Sequence, residues 1–170
     1  MQKLSHLDGS WSELLRQWSD QCHSFGEDFQ SFVPETIDLL GNLVEQCENS
    51  KWDGVYGIRG EDDVFEAVCF VNGAFIKNYN GRVLRVRHVL LPPRSDLGEF
   101  DADWHGQTLG TIFERIIELS DEDLPCPHVK FHFRSPADLA LFRRFKDALL
   151  NSDHFSEVET VGAWLILTKS

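Results

Sequence analysis

The chain has 170 residues, 42% of them hydrophobic and 12% aromatic, and a net charge of −12. That length and apolar content suit one domain spanning 1–170, and no run approaches the ~20 apolar residues that a membrane span requires. The acidic balance argues against nucleic acid as a main partner, because phosphate binding needs a basic field, and it mildly favours a cationic or amine-bearing one.

Met1 to His6 lead into a polar segment without a signal-peptide core, so the expected compartment is the cytoplasm. Ser10-Trp11-Ser12-Glu13 reads as a capping box, with Ser10 as N-cap and Glu13 three residues on. Trp11, Leu14, Leu15, Trp18, Cys22 and Phe25 follow at helical spacing. After a break at Gly26-Glu27-Asp28, a second helix is expected from Pro34, with Ile37, Leu40, Val44 and Cys47 as its inner stripe.

From Trp52 the period becomes that of strands. Val55 to Arg59 is a short one, and Gly60 to Asp63 a turn. Val64 to Tyr79 is a longer run, interrupted at Asn72-Gly73 by a bulge or a tight turn. Asn80-Gly81 is a hairpin signal that joins this run to the strand Arg82–Leu91, which Pro92-Pro93 stops.

Trp104-His105-Gly106-Gln107-Thr108-Leu109-Gly110 reads as a glycine-bearing turn, and Thr111 to Leu119 as an apolar helix. A strand, a glycine turn and a helix start together suggest a phosphate cradle, where free amides and the positive end of the helix dipole favour an anion. A polar loop leads to the alternating strand His128–Arg134. Ser135 then caps a helix that starts at Pro136 and buries Leu139, Phe142, Phe145 and Leu149. Val158 to Lys169, interrupted at Gly162, supplies one or two final strands.

The strand end Val89-Leu90-Leu91-Pro92 followed by His105-Gly106-Gln107-Thr108-Leu109-Gly110 resembles the cofactor-binding motif of GNAT-superfamily N-acyltransferases. There a strand ends in a V-x-P segment, and a turn of pattern Arg/Gln-x-x-Gly-x-Gly/Ala holds the pyrophosphate of acetyl-CoA. Here His105 stands in place of Arg or Gln, Thr108 replaces the middle glycine, and the spacer from Pro93 to Trp104 is longer. The element order over residues 10–169 is also similar to that fold, without an obvious first strand. The resemblance implies an α+β domain with a mixed, mostly antiparallel central sheet flanked by helices.

The resemblance further implies a cytoplasmic N-acetyltransferase that takes acetyl-CoA as acyl donor and a small-molecule or peptide amine as acceptor. Val89, Leu90 and Leu91 would pair with the pantetheine arm as an added strand would. The amides from His105 through Gly106, Gln107, Thr108, Leu109 and Gly110 to Thr111 would hold the pyrophosphate. Ser135 either hydrogen-bonds the cofactor arm or simply caps its helix.

For the base, Glu66 interrupts an apolar run on the neighbouring strand and is either a carboxylate in an apolar setting or a residue facing water. His88 lies near the expected reaction centre and is either a proton acceptor or a half-buried structural residue. The helix after the fifth strand often carries a Tyr as leaving-group acid in that family. Here it offers Phe142 or Phe145, which cannot donate a proton. The alternative is therefore a GNAT-shaped protein that does not catalyse and binds a ligand or a protein in the cleft between splayed strands.

The four cysteines, Cys22, Cys47, Cys69 and Cys126, form no CxxC pair and read as reduced thiols in apolar patterns, and no Cys/His spacing suits a metal. Trp11, Trp18 and Trp164 read as core, whereas Trp52 and Trp104 flank loops. His132 shares a strand face with Lys130 and Arg134 and is expected to face solvent. An edge strand near Val158 to Leu167 would permit a homodimer.

Overall fold

Apolar residues run almost unbroken through the central strands and recur at every third or fourth position through the helices, because helices cover both faces of one sheet. A computed structural model describes the chain apart from residues 34, 61, 99–101, 134–138, 141, 144, 145, 147 and 148. In chain order it contains β1 (Gln2–Lys3), α1 (Ser10–Ser24), α2 (Phe29–Phe32), α3 (Thr36–Gln46), β2 (Asp53–Arg59), β3 (Phe65–Phe75) and β4 (Arg82–Leu90). A 3₁₀ turn (Pro93–Ser95), α4 (Ala102–Asp121), β5 (His128–His132), β6 (Phe155–Val161) and β7 (Trp164–Lys169) follow. The described residues between 139 and 150 are helical.

The strands form one seven-stranded sheet in the order β1-β2-β3-β4-β5-β7-β6. Pairing is antiparallel except between β4 and β5, where Val83↔His128 through Val86↔Phe131 run parallel. A parallel pair needs a crossover, and α4 supplies it. The α+β class and the mixed, mostly antiparallel sheet are therefore as expected.

One face of the sheet carries Ile58, Cys69, Leu84, Val86, Phe131 and Leu167 against Leu109, Ile112, Ile116 and Leu119 of α4 and Phe142 of the last helical segment. The other face carries Val55, Phe65, Val68 and Phe70 against Trp11, Leu14 and Trp18 of α1 and Leu40 and Val44 of α3. Each fully buried Leu or Val in these layers contributes roughly 1.5–3 kcal/mol.

The first strand escapes a reading by alternation because it has only two residues. Tertiary contacts hold it: Lys3 Nζ donates to the carbonyls of Cys47 (2.8 Å) and Ser50 (2.6 Å), and the Leu4 amide donates to Val55 O at 2.8 Å. Gly57 makes this corner close, since a Cβ there would lie 2.5 Å from the Phe65 ring.

The capping box does not form. Gly9 is the N-cap, at φ 79°, and the Ser10 hydroxyl instead accepts from the Ser5 amide at 2.9 Å. Glu13 turns to Arg59, 2.7 Å away. Asn72 and Gly73 continue β3 in register with Arg85 and Leu84, so the interruption expected there is absent. The Asn80-Gly81 hairpin is a longer loop over residues 76–81, which Gly81 closes at φ 104°.

All four cysteines are free and buried, and burial pushes the Cys69 thiol up to about 12. Trp11 and Trp18 are core residues, whereas Trp164 is half-buried on the face opposite α4. Of the stretch Val158–Leu167, only β6 lies at a sheet edge. No helix among the described residues is long and apolar enough to cross a membrane.

Candidate functional site

The largest departure from the expected site concerns its cradle. Residues 104–110 are not a turn. They lie inside α4, which begins at Ala102 and runs twenty residues. Thr108 and Leu109 are buried at 6% and 4% and extend the stripe of Ile112 and Ile116 backwards by one turn. That amphipathic continuity overrides two helix-interior glycines, each of which costs about 1 kcal/mol relative to alanine.

The amides of Gly106, Gln107, Thr108, Leu109, Gly110 and Thr111 are thus at positions whose N–H bonds the carbonyl one turn earlier. The helix begins at Ala102, so the orphan amides of its first turn lie ahead of the expected cradle. Nor does the protein itself require glycine there: a Cβ built on Gly106 or Gly110 meets nothing within 4 Å.

A second feature was not anticipated. The pairs Phe70↔Arg87 and Val68↔Leu90 leave one residue of β3, Cys69, opposite two of β4, His88 and Val89. This is a β-bulge. His88 takes φ 55°, the left-handed region that only a few per cent of residues other than glycine adopt. The bulge resets the alternation: Leu84 and Val86 face α4 before it, and Val89 and Leu91 after it. The signal lay in the sequence, where Arg87-His88 places two polar residues between Val86 and Val89.

The bulge coincides with the end of the parallel pairing. β5 accompanies β4 only as far as Val86↔Phe131, and β5 ends at His132. Among the described residues, the Arg87–Leu90 segment of β4 is paired on its β3 side alone. The opening so formed borders a cavity of about 170 Å³ lined by Trp18, Phe32, Val33, Val89, Leu90 and Leu91. Trp18 is fixed there by its indole N–H, which donates to Phe65 O at 3.0 Å. Pro93, Ser95 and Asp96 complete the lining, which is mainly apolar.

Glu66 is also the extra residue of a bulge, because Ile58↔Ala67 is followed by Arg59↔Phe65. Its carboxylate is ion-paired with Arg94 at 3.4 Å. With Gln107, Thr108 and Thr111 it lines a second depression, of about 640 Å³, to which Arg59 and Arg115 contribute. Both arginines already have carboxylate partners, Glu13 at 2.7 Å and Glu118 at 2.8 Å.

The expected residues therefore divide. Val89, Leu90 and Leu91 share one lining, and Glu66, Gln107, Thr108 and Thr111 share the other. His88 lies at the first and lines neither, while Leu109 is in the core. Ser135 and Phe145 lie outside the described residues. Phe142 occupies an aromatic cluster, 4.8 Å from Phe133 and 6.4 Å from Phe131 between ring centres. Tyr56 is held protonated by burial, which pushes its phenol to about 12. Among the described residues no three His, Cys, Asp or Glu side chains converge to hold a metal.

No family model matches the chain, and no curated protein matches it. A solved structure described as "The crystal structure of KacTA-DNA complex" is similar over 79% of this chain and 80% of its own, with 10% sequence identity and a TM-score of 0.48. So distant a likeness assigns no activity. It does correct two expectations. The structure that this chain is similar to is one of a complex with DNA, so the exclusion of nucleic acid on net charge is withdrawn. Transfer of an acetyl group from acetyl-CoA to an amine is withdrawn with it, and the conversion of the expected cradle into helix removes its main support.

Proposed function

We propose that the protein is a divergent GNAT-type domain in which the opening between β4 and β5 receives the pantetheine arm of CoA. The observation that carries this reading is the end of the β4–β5 ladder at Val86↔Phe131, together with the bulge at His88 and Val89. Where two strands part, the backbone of a strand edge is a template for an extended, amide-bearing ligand. The small apolar cavity beside Val89, Leu90 and Leu91 suits a short aliphatic end.

Calorimetric titration with CoA tests it. Saturable binding in the micromolar range is expected. Val89→Pro, which deletes one amide donor at the edge, should weaken it about tenfold, the equivalent of about 1.4 kcal/mol. Gly106→Ala should leave it unchanged. An absence of heat up to millimolar CoA, or a Val89→Pro variant that stays folded and binds as tightly, would overturn the reading.

A further inference from the structure

The helices α1 to α3 cover the sheet only over β2, β3 and the tip of β4. On the same face, further along, β4, β5 and β7 present half-buried side chains. Register fixes which ones. Arg85 pairs with Lys130 and Lys130 with Ile166; one step on, His132 pairs with Trp164. Arg87 follows Arg85 at the next same-face position of β4, about 7 Å away. The Lys130 ammonium lies 5.1 Å from the Trp164 ring centre and 5.5 Å from that of Tyr79, and His132 packs 4.6 Å from Trp164.

This strip is basic within a chain of net charge −12. Among the described residues, none of Arg85, Arg87 and Lys130 is ion-paired with a carboxylate, whereas Arg16, Arg59, Arg94, Arg115 and Lys169 all are. The Nε atoms of Arg85 and Arg87 are buried without a hydrogen-bond partner. Burial, and then the charge of Arg85, pull the Arg87 guanidinium below its ordinary value. Arg85 donates to the Asn72 side chain, but neighbouring cations that are partly desolvated and have no carboxylate partner among the described residues favour an anion between them.

We infer that this open sheet face binds a short single-stranded nucleic acid segment, its phosphates on Arg85, Arg87 and Lys130 and its bases against Trp164 and Tyr79. Cations alone would serve an acidic peptide equally well. Aromatic rings interleaved with cations on an open sheet match a ligand that has both charge and flat apolar faces. The acidic remainder of the surface, including Glu157 and Glu159 on the adjoining β6, limits contact to a few nucleotides. The site lies on the sheet face and does not depend on CoA in the opening.

Fluorescence anisotropy with a fluorescein-labelled ten-nucleotide oligouridylate tests it. Three phosphate contacts give a log-log salt slope of about −2 for a single strand, so affinity should fall about 20-fold from 50 to 200 mM salt. Lys130→Ala should reduce that slope by about 0.7. Trp164→Ala should weaken binding at least fivefold with the slope unchanged. Arg16→Ala, at a pair remote in sequence and on the outer side of α1, should change nothing. Lys130→Ala is a surface truncation, so it keeps the test decisive if Trp164→Ala does not fold. No binding at 50 mM salt, an unchanged slope in Lys130→Ala, or equally tight binding of a labelled deca-glutamate peptide would overturn the assignment.

Discussion

Replacing Trp18 with alanine is expected to cost about 3–5 kcal/mol of stability, at the upper end for a core truncation. Three observations set that size. The side chain is 1% exposed. Its indole N–H donates to Phe65 O at 3.0 Å, which ties α1 to β3 beside the Glu66 bulge. It also forms a wall of the small cavity at the β4 tip, so the void cannot close without moving Val89 or Leu90. For a chain of this length the loss corresponds to a fall in Tm of about 6–20 °C. Trp18→Phe separates the terms: most of the ring volume stays, while the Phe65 carbonyl loses its donor, at about 1–3 kcal/mol. Urea denaturation reads both. A Trp18→Ala variant within 1 kcal/mol of the parent would show that α1 is not anchored through this residue.

Gly106→Ala combined with Gly110→Ala is expected to stabilise the protein, by about 1–2 kcal/mol for the pair and about 2–8 °C in Tm. Both glycines have ordinary helical backbone, and the added methyl groups meet nothing within 4 Å. The gain comes from the narrower range of backbone conformations left to the unfolded chain. The sign is what matters, because a loop shaped around an anion would be damaged by the same changes. A lower Tm for the double variant would restore a strained or closely approached backbone at these positions.

The fold was largely legible because its strands and helices bury clean stripes. Ile37, Leu40 and Val44 in α3, Leu139 and Phe142 near the C-terminus, and the alternation of β5 led directly to buried positions. What escaped depended on contacts between distant residues. β1 is too short to show a period, and its Lys3 bonds the chain near Cys47 and Ser50. The capping box failed because Ser10 was claimed by Ser5 and Glu13 by Arg59.

The site was less legible, for a different reason. Gly106 and Gly110 are strong punctuation when read locally. The stripe Leu109, Ile112, Ile116 and Leu119 commits the whole segment to one helix, and a pattern of that length outweighs two glycines. Conversely, the feature that shapes the β4 tip is marked only by two adjacent polar residues, Arg87 and His88. Such a doublet signifies a bulge only once the partner strand shows which residue is in excess.

That excess residue separates two properties that most strand positions combine. Counting past it, Val86 and Val89 are three apart yet share a face; remove His88 and they become two apart, still sharing it. A deletion in the middle of a sheet ordinarily turns every later side chain inside out. Here the same one-residue excision would carry Val89, Leu90 and Leu91 to the same faces they hold now, in a plain, unkinked strand. The molecule thus contains its own null allele for the irregularity at the β4 tip, one in which the hydrophobic inventory is untouched and only the local path of the backbone differs.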